Sequence, residues 1–198
     1  MPRNTTTKIK IRTSFIELIN NKGFSLITVS DITRQAKINR GTFYLHYKDK
    51  YDLIDQIKLE EIKHIKGILL KDENPSNLED PLEIIPYESI LEALIYVKKN
   101  INLIRSLASE VGDSNFIEMI KNLLNELLYE RLELSKSLSL DIKDIPLEYV
   151  NEIIFSSTIG IILIWIKKGG EEQPEELAQI IMKARTISPY EMLVKSKS

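Results

Sequence analysis

Residues 28–53 read Thr28-Val29-Ser30-Asp31-Ile32-Thr33-Arg34-Gln35-Ala36-Lys37-Ile38-Asn39-Arg40-Gly41-Thr42-Phe43-Tyr44-Leu45-His46-Tyr47-Lys48-Asp49-Lys50-Tyr51-Asp52-Leu53. Two short helices and a tight turn are legible in that stretch. Thr28 has the side-chain oxygen of an N-cap, and Asp31, three residues on, forms a capping box with Asp in place of Glu. Val29, Ile32 and Ala36 mark the inner face of a helix that stops near Lys37-Ile38. Asn39 caps the next helix, 40–47, whose inward residues are Phe43 and Tyr47. Ala36 is small enough to let the two helices pack closely, and Ile38 fills the turn from inside. Two helices at this spacing are a helix-turn-helix. With Phe43 inward, the second helix turns Arg40, Thr42, Tyr44 and His46 outward, a set rich in donors for base edges and phosphates in a major groove.

The surroundings extend this reading. Upstream, Ile11, Phe15, Leu18 and Ile19 recur on one face of a helix expected over 7–21, and Gly23 is a left-handed terminator for it. Downstream, Asp49 caps a helix from Lys50 to about Leu70, with Leu53, Ile57, Ile65 and Leu69 inward. Residues 1–50 hold ten Lys/Arg and three Asp/Glu, a net charge of +7, whereas the remaining 17 basic and 26 acidic residues give −9. A basic head on an acidic body points to a polyanionic partner at one end. Arg3 stands in a polar lead that has the chemistry of a minor-groove arm and the composition of a disordered start.

The stretch from Thr28 to Leu53 resembles the DNA-binding domain of the TetR family of bacterial regulators. The family pattern G-T-[FL]-Y-x-[HY]-[FY]-x-[NDS]-K-x-x-L is filled at every position from Gly41 to Leu53. The resemblance implies that Thr28 and Ser30 hold phosphates at the N-terminus of their helix, where free N–H groups favour an anion. It implies that Arg40 and Thr42, beside Gly41, reach base edges, that Tyr44 and His46 contact phosphates, and that Lys50 clamps another phosphate. Phosphate contacts set position, and Arg40 carries much of the sequence choice.

Beyond residue 70 the chain still reads as helical. Patterns are expected over 87–99, 101–109, 114–136, 147–168 and 174–186, separated by polar or proline-bearing loops at 72–86 and 137–146 and by Gly169-Gly170. The expected architecture is all-α with about nine helices: a three-helix helix-turn-helix domain over 1–50 and a larger helical bundle over 51–198 for sensing and dimerisation. The uncharged run 153–166 is 14 residues, short of the roughly 20 a membrane span needs, and reads as a buried helix. No signal peptide is visible at the start. The absence of cysteine excludes disulfides and thiolate metal sites and fits a reducing, cytoplasmic setting.

One recognition helix reads too few base pairs alone, so a homodimer is expected, with copies one helical turn of DNA, roughly 34–36 Å, apart. Helix 147–168 is apolar on nearly every face, more than one core can cover. The candidates for the seam are Ile154, Ile161, Ile162 and Trp165 on it and Ile180 and Ile181 on the last helix, with Gly160 allowing close approach. The C-terminal half also resembles the TetR-family regulators of dihydroxyacetone kinase operons, through Asn102 to Leu107, Gly112-Asp113, Phe116, Gly160 and Trp165. That resemblance implies a four-helix dimer interface and an effector, a small molecule or a protein partner, that controls the heads. His64, Tyr96, Arg105, Phe116, Ser157 and Trp165 are candidates for effector contacts, although each is also readable as an ordinary core or surface residue.

No glycine pattern forms a phosphate loop, dinucleotide fingerprint or nucleophile elbow, and His46 and His64 lack ligand-like spacing. An enzyme, a metal site and a cofactor are therefore not expected, and Glu60-Glu61 and Glu171-Glu172 read as solvated faces. The function expected is a sequence-specific regulator, a repressor, bound to an operator in double-stranded DNA. The alternatives are a regulator or activator controlled by a protein partner, and a helical interaction module that binds no DNA.

Overall fold

Period-four burial organises the first helix: Ile11, Phe15 and Ile19 are all buried, as their spacing requires. The computed structural model describes residues 3–71, 85–109, 115–134, 145–188 and 191. Among them are nine α-helices: α1 (Arg3–Lys22), α2 (Val29–Gln35), α3 (Arg40–Tyr44), α4 (Lys50–Leu69), α5 (Tyr87–Lys99), α6 (Ile101–Ala108), α7 (Asn115–Leu134), α8 (Leu147–Lys167) and α9 (Pro174–Thr186). The side chains of Arg3 and Ile154, the pair Gly112-Asp113 and most of the two expected loops lie outside the described residues. α1 begins four residues earlier than its apolar pattern, because a helix start without an apolar face leaves no periodic mark. α2 and α3 are shorter than expected. Their last residues continue as turns, in which the His46 N–H donates to the Phe43 carbonyl at 2.9 Å and the Lys37 N–H to the Arg34 carbonyl at 3.2 Å.

The chain forms two compact units. The first comprises Met1–His64 and Asn102–Glu118. Its core includes Ile11, Phe15, Phe24, Ile27, Ile32, Phe43, Leu53 and Ile57, and α1 packs on α2 and α2 on α3. One expectation fails here. Glu61 does not lie on a solvated face; it is 2% exposed and paired with Arg12 of α1, which also bonds the exposed Glu60 at 2.9 Å. Lys58, one turn earlier on α4, is buried too and lies 3.6 Å from Asp55. The two Arg12 pairings join residues almost fifty positions apart, which a helical face pattern does not show.

The second unit comprises Ile65–Ile101 and Met119–Ser198. α5 and α8 both pack on α9, around Leu94, Val97, Ile159, Ile166, Leu177 and Ala178. α8 ends in a Schellman motif. The Gly170 N–H returns to the Trp165 carbonyl at 2.9 Å and the Gly169 N–H to the Ile166 carbonyl at 3.0 Å. Gly169 and Gly170 have φ of 83° and 74°, which glycine adopts without strain. Two seam candidates, Trp165 and Ile181, are buried within this unit. Trp165 is 1% exposed, and its indole N–H donates to the Glu172 carbonyl at 3.0 Å. The ammonium of Lys98 sits 6.0 Å over the Trp165 ring and bonds the Gly170 and Glu172 carbonyls at 2.5 and 3.1 Å. Trp165 is thus a peg holding the α8–α9 loop. Ile181 is 0% exposed, inside the same unit.

Candidate nucleic-acid interface

The outward face of α3 is set by how its ends are tied. Asn39 caps it, accepting the Gly41 N–H at 2.9 Å, and Phe43 and Tyr47 anchor it in the core with ring centroids 5.6 Å apart. Before it, α2 ends in a second Schellman motif. The Ile38 N–H reaches the Thr33 carbonyl at 3.0 Å, and Lys37 occupies the left-handed position at φ 53°. Arg40, Gly41 and Tyr44 are exposed, and Thr42 and His46 are half-buried. The Arg40 guanidinium donates weakly to the Tyr44 hydroxyl at 3.4 Å, while the Tyr44 ring stands edge-on against Phe43 at 5.6 Å. The expected donor set is therefore held together on one short segment, and Tyr47 is in the core as expected. Burial, with the Glu60 carboxylate adding to it, pushes the Tyr47 phenol above its ordinary range.

At the start of α2 the capping box is complete. The Thr28 side chain accepts the Asp31 N–H at 3.2 Å, and the Asp31 carboxylate accepts from the Thr28 N–H at 3.0 Å and its hydroxyl at 2.7 Å. Lys22 adds an ion pair to Asp31 at 2.9 Å. Lys22 and then the two Thr28 bonds hold the Asp31 carboxyl well below the usual carboxylate range. The Thr28 hydroxyl proton is thereby engaged inside the head, and Ser30 is half-buried beside it. Lys50 is engaged as well. Its ammonium donates to the Phe24 and Ser25 carbonyls at 3.0 and 3.1 Å and lies 4.7 Å over the Phe24 ring. It fastens the start of α4 to the α1–α2 loop. Asp49 caps α4 as expected, accepting the Tyr51 and Asp52 N–H groups at 2.8 and 2.9 Å.

Residues 15–57 match the family described as bacterial regulatory proteins, tetR family, and residues 86–186, more than half the chain, match the transcriptional regulator C-terminal region. The chain belongs to the TetR family. TetR-family proteins are DNA-binding transcriptional regulators of the helix-turn-helix type and not enzymes. The chain is 25% identical over 194 residues to the uncharacterized HTH-type transcriptional regulator YxbF of Bacillus subtilis (strain 168), covering 97% of this chain. It spans about half that relative's length, 48%. Among solved structures, FadR from Bacillus subtilis in complex with stearoyl-CoA aligns with a TM-score of 0.64 at 19% identity, over 88% of this chain and 95% of that one. The dihydroxyacetone kinase operon activator DhaS aligns with a TM-score of 0.57 at 21% identity, over 89% and 92%. Such likenesses show the TetR-like fold, including that of the dihydroxyacetone kinase regulators expected from the C-terminal half.

The effector candidates are divided between the two units. His64, Arg105 and Phe116 belong to the first unit, and Tyr96, Ser157 and Trp165 to the second. His64, Arg105 and Ser157 are exposed, Tyr96 is half-buried, and Phe116 and Trp165 are core. Among the described residues no group of His, Asp and Glu is placed to hold a metal ion, and no helix is long and apolar enough to cross a membrane. Sequence reading missed two features of the head: the left-handed Lys37 and the outward Leu45. The register of Leu45, four residues after Gly41 and opposite Phe43, was the signal available for the second.

Proposed function

We propose that this TetR-family protein is a repressor that binds its operator as a homodimer and is released or retained by an effector acting on its C-terminal helices. In this reading residues 1–50 contact DNA and 51–198 sense and dimerise. The observation that carries it is the geometry of α3: Phe43 and Tyr47 fix one side in the core while Arg40, Gly41 and Tyr44 stand outward on a head of net charge +7 over residues 1–50. Thr42, His46, Thr28 and Ser30 flank that face, and repression needs nothing further than occupancy of a site that polymerase must cross. The test is a gel-shift against an operator selected from random duplexes by the full-length protein. Arg40→Ala is expected to lose roughly 5- to 150-fold in affinity and to relax sequence choice, as for a lost base-edge contact. An Arg40→Ala protein that binds and selects like the wild type removes α3 as the reading element.

The dimer reading is supported by the outer side of the second unit. Tyr149, Ile153 and Ile164 of α8 are exposed at helical spacing, Ile180 of α9 is exposed, and a Cβ added at Gly160 meets nothing within 4 Å. Ile161 and Ile162 are half-buried beside this stripe. A second copy would take this apolar surface out of water. Ile164→Glu is expected to yield monomers by light scattering, and an unchanged mass would move the seam elsewhere. For the effector, the support is that a protein of this fold, FadR of Bacillus subtilis, is seen with stearoyl-CoA. Stearoyl-CoA is therefore the first probe for release of the selected operator, and Tyr96 is the half-buried polar candidate to mutate.

A further inference from the structure

Leu45 is 82% exposed, more than any other large apolar side chain among the described residues. Its N–H donates to the Gly41 carbonyl at 3.2 Å, so it continues the helical path of α3 one turn beyond Gly41. At about 100° per residue, the direction opposite the two buried anchors Phe43 and Tyr47 falls on Leu45, with Gly41 next to it. Tyr44 lies on one flank of that apex and Thr42 on the other, with Arg40 a further step round from Tyr44 toward the anchored side. A single exposed leucine is ordinary on a protein surface. This one stands at the outermost point of the reading helix, among hydrogen-bond donors, beside a glycine that lets the backbone come close.

Leucine has nothing to donate or accept, so it cannot read the polar code of a base edge. The apolar group on the floor of a major groove is the C5-methyl of thymine. We propose that Leu45 is a specificity-determining residue that selects thymine by packing on its methyl group. This rests on the reading of α3 as the reading element. The operator consequently holds, in each half-site, a thymine whose methyl matters more than its hydrogen-bonding edge.

The experiment uses the full-length protein and the operator it selects from random duplexes, with each thymine replaced in turn by deoxyuridine, which removes the methyl and keeps the pairing. For the wild type, one thymine position per half-site is expected to weaken binding about four-fold when demethylated, the worth of one buried methyl group. Leu45→Ala is expected to bind the thymine and deoxyuridine duplexes alike, and Leu45→Met to restore the difference. Circular dichroism confirms that both variants are folded, which the exposure of the side chain favours. Sequence selection by a wild type that is indifferent to deoxyuridine everywhere, or a Leu45→Ala protein that keeps the four-fold ratio, overturns the proposal while α3 stays the reading element. A wild type that selects no sequence overturns both.

Discussion

Arg12 is the residue whose loss has the most predictable cost. Its guanidinium bridges Glu60, 57% exposed, and Glu61, 2% exposed, and is itself one-third exposed. The Glu60 arm resembles a surface pair and contributes about 0.5 kcal/mol. The Glu61 arm differs, because Arg12→Met leaves a carboxylate in the interior without that partner. Breaking a buried pair from one side costs about 3–5 kcal/mol. Glu61 keeps a further interaction besides Arg12, which brings the expected loss just below that range, to about 2–3 kcal/mol. For a chain of this size that lowers Tm by roughly 5–10 °C. Urea denaturation followed at 222 nm measures it, and Arg12→Met/Glu61→Leu should recover most of the loss, since the stranded charge is then gone. A single variant within about 0.5 kcal/mol of wild type, or a double variant no better than the single, would refute the reasoning.

Three more expectations concern the head. Lys37→Gly should stabilise by about 0.5–1 kcal/mol, since relief of the left-handed strain exceeds the glycine's extra unfolded entropy; an unchanged urea midpoint means the lysine side chain compensates. Asp31→Asn should flatten the acid limb of stability. Because the folded carboxyl titrates below its unfolded value near about 4, its contribution is complete above that pH and disappears as pH falls toward the folded pKa, so urea midpoints at pH 6 and pH 3 should differ less in the variant than in wild type. Lys50→Met should cost about 1–2 kcal/mol of stability through the two lost carbonyl bonds. It should also leave the salt slope of operator binding nearly unchanged, whereas a full phosphate contact would remove about 0.9 from that slope.

What the sequence disclosed and what it concealed divide by distance along the chain. Caps, terminators and helical faces are local chemistry, and Thr28 with Asp31, Asn39, Asp49, Gly23 and the pair Gly169-Gly170 all occupy the places their chemistry suggests. The inward assignment of Phe43 and Tyr47 followed from the same periodicity, and with it the outward donor set. The features that stayed hidden depend on partners far away. Glu61 is buried because Arg12 lies across from it, and Trp165 is a peg because Lys98 reaches the same loop. A helix apolar on all sides, such as α8, does not reveal from sequence which side its own unit covers. That ambiguity made Trp165 and Ile181, both buried within their own unit, read as seam candidates.

The five-residue α3 (Arg40–Tyr44) is too short to be stable alone, so its outward face is only as well defined as the core beneath it. Stability and operator affinity are therefore linked, but not in proportion. Apparent affinity falls by the fraction of molecules that are competent. If the head is stable by several kcal/mol, a loss of about 2–3 kcal/mol leaves that fraction close to one at 25 °C. Arg12→Met should consequently bind the operator like wild type when cool and fail a few degrees below its own melting transition, whereas Arg40→Ala should bind poorly at every temperature. Gel shifts across a temperature series separate the two. Equal deficits for both variants at low temperature would mean that Arg12 acts on DNA directly, and that the charge cluster between α1 and α4 is part of the interface rather than its support.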